Sequence, residues 1–278
     1  MTPTKYGVTF APFAPVQTKI TDLTSRVTSP ISGMSFFDQS HLFVELSALA
    51  YFDPKSAKSW ATKIGFPNLT VFGDSEQMAL VFSNETDIVV SFRGTYSVID
   101  VATDLDADLS KDGKLIGKVH DGFRKRLDIL WPKIQPLLDN EKKLWLTGHS
   151  MGGAVAAILA VRFAREKGRK VESIFTFGQP RIGDLLYVAG VSTPLHRWVN
   201  HVDIVTKLPT PLMGYQHFGK EHYINRNGLY RPNIVNSVGR FIAQFFEQLS
   251  LEGISDHDIA KYRDAIIRYS NESDNGKR

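Results

Sequence analysis

The sequence predicts an α/β fold with a mostly parallel central sheet and helices on both faces, and three observations support it. Short runs rich in β-branched and aromatic residues recur along the chain, which is typical of buried strands. The stretches between several of them repeat apolar residues at helical spacing. The alternation of the two patterns favours parallel strands joined by helices. No internal repeat or long linker divides the 278 residues, so we expect a single domain over residues 1–278.

The individual elements follow from these patterns in chain order. Residues 1–35 are rich in Thr, Pro and Ser without periodicity, which predicts an irregular N-terminal covering segment. A helix is predicted over residues 38–50, where leucines recur on one side. Strands are predicted at MALVFS (78–83), DIVVSFRG (87–94), KLWLTGHS (143–150), SIFTFGQP (173–180) and HRWVNHVDIV (196–205), and further helices at 122–138 and 153–167.

Composition and charge exclude several classes of protein. Lys and Arg number 33 and Asp and Glu 29, for a formal net charge of +4, and no block of like charges indicates a nucleic-acid arm. The chain has no cysteine, which excludes a disulfide framework, a cysteine zinc site and a cysteine nucleophile. No apolar run reaches the roughly 18 residues that a membrane-spanning helix needs, so no transmembrane segment is expected.

The first residues do not resemble a secretion signal. The stretch MTPTKYGVTFAPFAPV has one lysine, and Pro12 and Pro15 break its apolar part. A signal peptide instead has a basic region followed by a continuous apolar run. We therefore expect a protein that is cytoplasmic or exported without a cleaved N-terminal signal, and the sequence leaves the compartment open.

A candidate nucleophile lies in Gly148-His149-Ser150-Met151-Gly152. A strand pattern ends here and a small-residue helix begins, which is the context of a G-x-S-x-G nucleophile elbow. The serine of such an elbow is held in a strained conformation, and side chains at the two glycines would collide with strand and helix. The alternative is a glycine-rich turn with a capping serine.

A serine hydroxyl needs a base to take its proton and a carboxylate to hold that base. In this type of site the order along the chain is Ser, acid, His. Asp203 follows an apolar strand pattern, whose carboxyl end would place it on the same rim as Ser150. Asp184 is the competing acid, but it follows Gly183 in a turn and suits a helix N-cap.

Three histidines follow Asp203 in the chain, and each is a candidate base. His217 and His222 lie in a polar and aromatic stretch where structural hydrogen bonding is the ordinary role. His257 lies in a loop pattern that opens a helix, where a mobile general base is usually carried. Position alone favours His257 and leaves the other two open.

The oxyanion of a tetrahedral intermediate needs hydrogen-bond donors. The N–H of Met151, directly after the nucleophile, is one candidate. Thr95 is the second, because it follows the strand pattern VVSFRG. The alternative for Thr95 is a polar turn residue.

These motifs together resemble the class 3 lipase family, the fungal-lipase-like α/β-hydrolases. The resemblance covers residues 48–258 and rests on AYF near Tyr51, VVSFRGT (89–95), VHDGF (119–123), LTGHSMGGA (146–154), FTFGQPRIGD (175–184), NHVDIVTKLP (200–209) and GYQHFGKEHY (214–223). It implies an α/β-hydrolase fold, hydrolysis of acylglycerol esters by a Ser, Asp, His triad, and no cofactor or metal. The absence of cysteine makes the chain similar to bacterial-type or intracellular members.

Carried over by motif, the resemblance assigns the nucleophile to Ser150 and the acid to Asp203. It assigns the base to His257, because the family's histidine lies near the C-terminus in an H-x-x-x-Y-like segment. The spacing departs from that pattern, since Tyr262 stands five residues after His257. Thr95 would supply both its N–H and its hydroxyl to the oxyanion, and His217 would match a structural position.

The segment 97–109, SVIDVATDLDADL, matches the place where the family carries a lid. An apolar stripe at helical spacing is predicted there, formed by Val98, Ile99, Ala102 and Leu105. The alternative is a helix docked permanently on the core.

The sequence thus predicts a serine carboxylic-ester hydrolase that acts on acylglycerols through an acyl-enzyme. The alternatives are a phospholipase A1, a feruloyl or other aryl esterase and, outside enzymes, a catalytically silent lipid-binding protein. The expected partners are a lipid or small ester substrate and a transient lipid–water interface, without nucleic acid. The oligomeric state is not predicted.

Overall fold

The computed structural model describes residues 20–74, 77–95, 108–113, 115–166, 170–189, 191–232 and 251–274. Its strands are β1 Asn68–Gly73, β2 Met78–Ser83, β3 Asp87–Phe92, β4 Leu109–Ser110, β5 Val119–His120, β6 Lys143–His149, β7 Ser173–Phe177, β8 Leu195–Asn200, β9 Lys220–Ile224 and β10 Tyr230–Pro232. Its α-helices are α1 Phe36–Leu49, α2 Pro54–Ile64, α3 Asp121–Ile134, α4 Met151–Glu166, α5 Leu185–Ala189, α6 Leu251–Ser255 and α7 Ile259–Asp274. Short 3₁₀ helices lie at Ile31–Gly33, Gln135–Leu138, Val205–Lys207 and Pro211–Met213.

Eight strands form one sheet in the order β1-β2-β3-β6-β7-β8-β9-β10, and β4 pairs with β5 separately. The five strands from β3 to β9 in this order are parallel to their neighbours. The remaining strands, β1 and β2 at one end of the sheet and β10 at the other, pair antiparallel with their neighbours. This confirms the predicted mostly parallel sheet.

Helices cover both faces of the sheet, as predicted. Helices α3 and α4 pack on one face, and α1, α2 and α7 pack on the other. Strand β3 shows why its sequence is a continuous apolar run. Ile88 and Val90 point to the α3 and α4 side, whereas Val89 points to the α1 side, because side chains alternate along a strand.

The helix starts follow from local capping. The hydroxyl of Ser35 accepts a hydrogen bond from the N–H of Asp38 and so starts α1. The carboxylate of Asp53 does the same for α2 by accepting from the N–H of Ser56. Helix α1 therefore begins two residues before the predicted start.

The N-terminal segment is described from residue 20 and forms no helix or strand up to residue 30. The buried carboxylate of Glu45 in α1 fastens it by accepting from the N–H and the hydroxyl of Ser25 at 2.9 and 2.6 Å. Burial opposes ionisation of Glu45, but hydrogen bonds from His41 and Ser25 outweigh it and lower its pKa to about 2.

One strand prediction is wrong in a way that matters for the site. The strand predicted over 196–205 ends at Asn200, because His201 adopts φ 39° and the chain turns. Asp203 therefore lies in a turn beyond the strand rather than at its end. Strand β1 was not predicted, since its side chains are mostly exposed or half-buried and form no clear apolar run. Within the described ranges, no helix is both long and apolar enough to cross a membrane.

Candidate active site

Ser150 occupies a sharp turn between the end of β6 at His149 and the start of α4 at Met151. Its φ is 59°, in the left-handed region that residues with side chains rarely adopt. Two backbone hydrogen bonds hold the turn: the N–H of Ser150 donates to Phe177 O at 2.8 Å, and the N–H of Gly153 donates to Ser150 O at 3.0 Å. The surrounding strand and helix thus maintain the strained serine that the elbow pattern predicts.

The two glycines of the elbow are required by close packing. A Cβ added to Gly148 would lie 2.4 Å from the carbonyl carbon of Gly152. A Cβ added to Gly152 would lie 2.0 Å from the carbonyl oxygen of Phe92 in the neighbouring strand. Both distances are far below van der Waals contact, so the predicted steric reason for the glycines is confirmed.

Asp203 and His257 are 54 residues apart in the chain and meet directly beside this turn. The Nδ1–H of His257 donates to the carboxylate of Asp203, with distances of 2.8 Å to Oδ2 and 3.0 Å to Oδ1. Ser150, His257 and Asp203 are all buried. Among the described residues, Ser150 Oγ and His257 Nε2 have no hydrogen-bond partner.

Phe177 and Gly178 connect the turn to this pair. Ser150 is hydrogen-bonded to Phe177, the last residue of β7. A Cβ added to the next residue, Gly178, would lie 2.8 Å from both Asp203 Oδ2 and His257 Cε1. The structure therefore brings all three sequence-predicted residues to one place at the carboxyl edge of the sheet.

A second histidine supports the backbone of His257. The hydroxyl of Tyr51 donates to Nδ1 of His149 at 2.9 Å, and the Nε2–H of His149 donates to His257 O at 2.7 Å. Burial, with a further contribution from His257, holds the pKa of His149 well below its usual value. His149 is therefore neutral near pH 7 and serves as a donor to His257, a role that the elbow pattern alone did not predict.

A tyrosine also holds the carboxylate of Asp203. The hydroxyl of Tyr262 donates to Oδ2 at 2.5 Å, and the N–H of Val205 donates to Oδ1 at 2.9 Å. Burial and the charge of Asp203 raise the pKa of Tyr262 well above its usual value, so it stays a donor. The unusual spacing after His257 is accommodated because α7 begins at Ile259 and carries Tyr262 in its first turn.

The loop that carries His257 is tied to the end of β8 through its neighbour Asp256. The amide of Asn200 donates to Asp256 O at 2.9 Å. The carboxylate of Asp256 lies 3.0 Å from His201 Nδ1 and from Lys261 Nζ. These contacts hold the loop against the strand that leads to Asp203.

A family model described as lipase (class 3) matches residues 89–213, which include the elbow and the turn with Asp203. Residues 89–213 of the chain are therefore similar to the class 3 lipase family. A lipase of Rhizomucor miehei is 34% identical over 189 residues, which cover 63% of this chain and 50% of that protein. The chain spans about half or less of the length of the first curated relatives it matches.

Two solved structures extend the comparison to three dimensions. Lipase II of Rhizopus niveus superposes with a TM-score of 0.59 at 28% identity, over 68% of this chain and 80% of that one. A triacylglycerol lipase whose catalytic centre is described as a serine protease triad gives a TM-score of 0.58 at 26% identity, with the same coverage. These matches confirm the predicted α/β-hydrolase fold.

The competing candidate residues have other partners. The carboxylate of Asp184 accepts from the N–H of Tyr187 at 2.8 Å and caps α5, which confirms the N-cap prediction. The Nε2–H of His217 donates to Thr206 O at 2.8 Å. His222 shares hydrogen bonds with His196 at 3.0 Å and with Tyr230 at 3.1 Å. His257 alone among the three candidate bases is hydrogen-bonded to Asp203.

One candidate oxyanion donor, Met151, directly follows Ser150, and the loop that leads to the other, Thr95, touches Ser150. A Cβ added to Gly94, the residue before Thr95, would lie 2.9 Å from Ser150 Cβ, so the loop after β3 touches the nucleophile turn. Met151 is the first residue of α4, where a backbone N–H has no partner within the helix. The predicted lid residues Val98, Ile99, Ala102 and Leu105 lie outside the described residues.

One buried and one half-buried histidine should make the stability of the protein depend on pH. Burial is the main cause that lowers the pKa of His196 to about 4 and that of His222 to about 3, from a usual value of 6.5. The unfolded chain therefore binds more protons than the folded protein below pH 6.5, and the free energy of unfolding should fall as the pH drops from there towards 4. Urea titrations between pH 7 and pH 4 will measure this fall.

The control is a double variant with His196→Gln and His222→Gln. Glutamine keeps hydrogen-bonding capacity but does not titrate. On unfolding at pH 5, the double variant should therefore take up about two fewer protons than the wild type. An unchanged pH dependence in the double variant would assign the acid sensitivity to other groups.

Proposed function

We propose that this chain is a serine carboxylic-ester hydrolase that cleaves acylglycerols through an acyl-enzyme. The observation that carries the proposal is that Ser150 Oγ and His257 Nε2 are buried and have no hydrogen-bond partner among the described residues, while the other ring nitrogen of His257 is held by Asp203. A buried polar atom without a partner is costly to maintain. In an active site, the unused hydrogen-bonding capacity of such an atom is available for the proton that the reaction moves.

The residues account for both halves of the reaction. His257 Nε2 takes the proton of Ser150 as its oxygen attacks the ester carbonyl, and Asp203 stabilises the imidazolium. The N–H of Met151 and the N–H and hydroxyl of Thr95 meet the oxyanion. The imidazolium then protonates the leaving alcohol. Water, deprotonated by the same histidine, attacks the acyl-enzyme and releases the carboxylic acid.

The substrate class is supported by the family and by relatives that are named lipases. We expect hydrolysis of p-nitrophenyl esters, tributyrin and a long-chain triacylglycerol. A matched panel with phosphatidylcholine and methyl ferulate separates this function from the phospholipase and aryl-esterase alternatives. Binding of lipid without release of acid from any ester would instead support the catalytically silent alternative.

An apolar rim beside the site supports a lipid–water interface as the partner. Exposed large apolar side chains concentrate on three neighbouring segments, and we define the apolar rim as Ile116, Leu185, Leu186, Leu212 and Met213. The segments are neighbours, because Val119 bridges to Gly183 and Gly183 bridges to Gln216. Exposed apolar patches of this kind mark surfaces that bind lipid or protein.

The apolar rim lies close to the candidate site in the chain and in the fold. The segment predicted to be the lid leads into it, since Leu109 starts β4 and β4 pairs with β5. The loop 178–184 leads into α5, which carries Leu185 and Leu186 of the rim, and it follows β7, whose last residue is bonded to Ser150. We therefore assign the apolar rim to the face that meets aggregated substrate.

Polar substitution of the rim should weaken action on emulsions selectively. Leu212 is 93% exposed and Met213 is 45% exposed, so Leu212→Ser with Met213→Ser removes apolar surface without opening the core. Transfer of each side chain into lipid contributes about 1 kcal/mol, so the pair should lower turnover on emulsified tributyrin about tenfold or more. Hydrolysis of soluble p-nitrophenyl acetate should be unchanged.

Ile129→Ser is the matched control, because Ile129 is an exposed apolar residue of α3 outside the rim. It should leave both activities unchanged. Equal losses in the control and the rim variant, or a rim variant that matches the wild type on emulsions, would remove the rim from the interface.

A further inference from the structure

Four consecutive carbonyl oxygens follow Asp203, at residues 206–209, and each accepts a hydrogen bond from outside that segment. His217 donates to the carbonyl of Thr206. The other three accept from one residue, Arg181. Its guanidinium Nη1 donates to Lys207 O and, at 3.0 Å, to Pro209 O, and its backbone N–H donates to Leu208 O at 2.8 Å.

Burial of the Arg181 guanidinium costs hydration free energy. Arg181 is only 8% exposed, and within the described part of the chain no carboxylate forms an ion pair with it. Burial, with Arg197 adding repulsion, lowers its pKa to about 10. A buried guanidinium needs hydrogen-bond partners to offset its lost hydration, and the described partners are the carbonyl oxygens of this segment.

The segment is mechanically joined to the catalytic carboxylate. The hydroxyl of Thr206 donates to Asp203 O at 2.8 Å. The N–H of Val205 donates to Asp203 Oδ1, and the N–H of Leu208 donates to Val205 O at 3.1 Å. Displacement of residues 206–209 would therefore move both the backbone and the carboxylate of Asp203.

We infer that Arg181 is a positioning residue of the proposed triad: its buried fork clamps residues 206–209 and so orients the carboxylate of Asp203 towards His257. The inference rests on the proposed function, because it gives the carboxylate's orientation a catalytic purpose. Asp203 lies in a turn beyond β8, two residues after the N–H of His201 makes the last described backbone hydrogen bond to a neighbouring strand, at 2.7 Å to Ile224 O. The clamp supplies the rigidity that the strand does not.

The chemistry of the side chain matters to this role. One guanidinium nitrogen carries two hydrogens in a fixed plane and reaches two carbonyl oxygens at once. A lysine ammonium is a flexible point donor and does not reproduce this fork. The backbone N–H of residue 181 is retained in every variant, so substitutions test the side chain alone.

The test compares Arg181→Met and Arg181→Lys with the wild type. Arg181→Met should lower kcat on p-nitrophenyl butyrate about 10- to 100-fold with KM within about twofold, because a misplaced catalytic group slows the chemical step. Arg181→Lys should recover part of the loss. The acid limb of the pH profile should move to lower pH, since a displaced Asp203 stabilises the imidazolium of His257 less.

Other charged or titratable groups face His257 and are the same in all variants. They are His149, which is neutral, and Tyr262, together with Asp256 and Asp258 on either side in the chain. Arg181→Met also removes one positive charge, which by itself would move the acid limb to higher pH, so a move to lower pH can be assigned to Asp203.

A spectroscopic readout separates failure of this inference from failure of the proposed function. The proton on Nδ1 of protonated His257, held by Asp203, gives a downfield NMR resonance that requires no turnover. It should weaken or move upfield in Arg181→Met. A wild type without esterase activity would overturn the proposed function, whereas the resonance would still report the clamp.

Arg197→Met is the matched control. Arg197 is also buried, and it donates to Phe218 O at 2.9 Å and to Glu221 at 3.3 Å rather than to residues 206–209. It should lower thermal stability without moving the resonance or the acid limb. Arg181 variants that keep the wild-type resonance, acid limb and kcat while losing stability like this control would show that Arg181 has only a structural role.

Discussion

Replacement of Ser150 by alanine is expected to lower ester turnover at least ~10³-fold, because only binding and oxyanion stabilisation then remain. The fold should be retained. Ser150 Oγ is buried and, among the described residues, has no hydrogen-bond partner, so its removal leaves no other group unsatisfied. Turnover of p-nitrophenyl butyrate, with circular dichroism and a thermal melt on the same sample, measures both parts.

Ser91→Ala provides a matched control for this experiment. Ser91 is a fully buried serine of β3, and its hydroxyl also has no partner among the described residues. The substitution makes the same chemical change in the same sheet, and turnover should stay within about twofold of the wild type. Retention of most activity in Ser150→Ala would overturn the acyl-enzyme mechanism.

Replacement of His257 by alanine should be about as damaging as loss of Ser150, because the two residues act as one unit in proton transfer. The double variant Ser150→Ala with His257→Ala should therefore be no slower than either single variant. Single-turnover measurements on a p-nitrophenyl ester test this directly. Additive losses in the double variant would indicate that the two residues act separately.

The other two candidate histidines are the internal controls. His222→Ala removes a buried imidazole that is paired with His196 and Tyr230 and has no contact with Asp203 among its described hydrogen bonds. His217→Ala removes only the donor to Thr206 O, while the three hydrogen bonds from Arg181 still hold residues 207–209 in place. Both should act mainly on stability and leave the chemical step largely intact. An inactive His217 variant beside an active His257 variant would reverse the assignment of the base.

Much of the fold and one part of the site could be predicted from the sequence because they depend on near neighbours in the chain. The nucleophile elbow is contained in five residues, and its glycines are explained by contacts with the strand before, the helix after and one adjacent strand. The parallel strands were predictable because strands buried on both faces have continuous apolar runs. Strand β1, at the exposed edge of the sheet, lacks that signal.

The partners of the nucleophile were harder to predict because they are distant in the chain. Asp203 and His257 are separated by 54 residues, and the segment between them contains two other histidines. Patterns within the chain did not decide which histidine is the general base, and the resemblance to a family selected His257. The turn that carries Asp203 was predicted as strand, since the apolar run NHVDIV does not show where His201 turns the chain.

Residues that support the site could not be found from local patterns at all. Tyr262 departs from the family's spacing, yet the start of α7 at Ile259 brings its hydroxyl to Asp203. Arg181 stands in the motif FTFGQPRIGD without any local sign of its partners. The one available signal was a charged residue within an otherwise apolar and small-residue stretch, which indicates a buried charge with a specific partner.

Local patterns in the chain specify the α/β class, the strained serine turn and the types of residue that the chemistry needs, because helix and strand periods, glycine sterics and side-chain chemistry are local properties. Packing between distant segments is what brings His257 to Asp203, places His149 and Tyr262 against them, and lets Arg181 hold the turn that carries Asp203. These contacts join residues from separate strands, loops and helices. Their geometry depends on how the sheet pairs and how α7 packs on α1, which no short segment of the chain specifies.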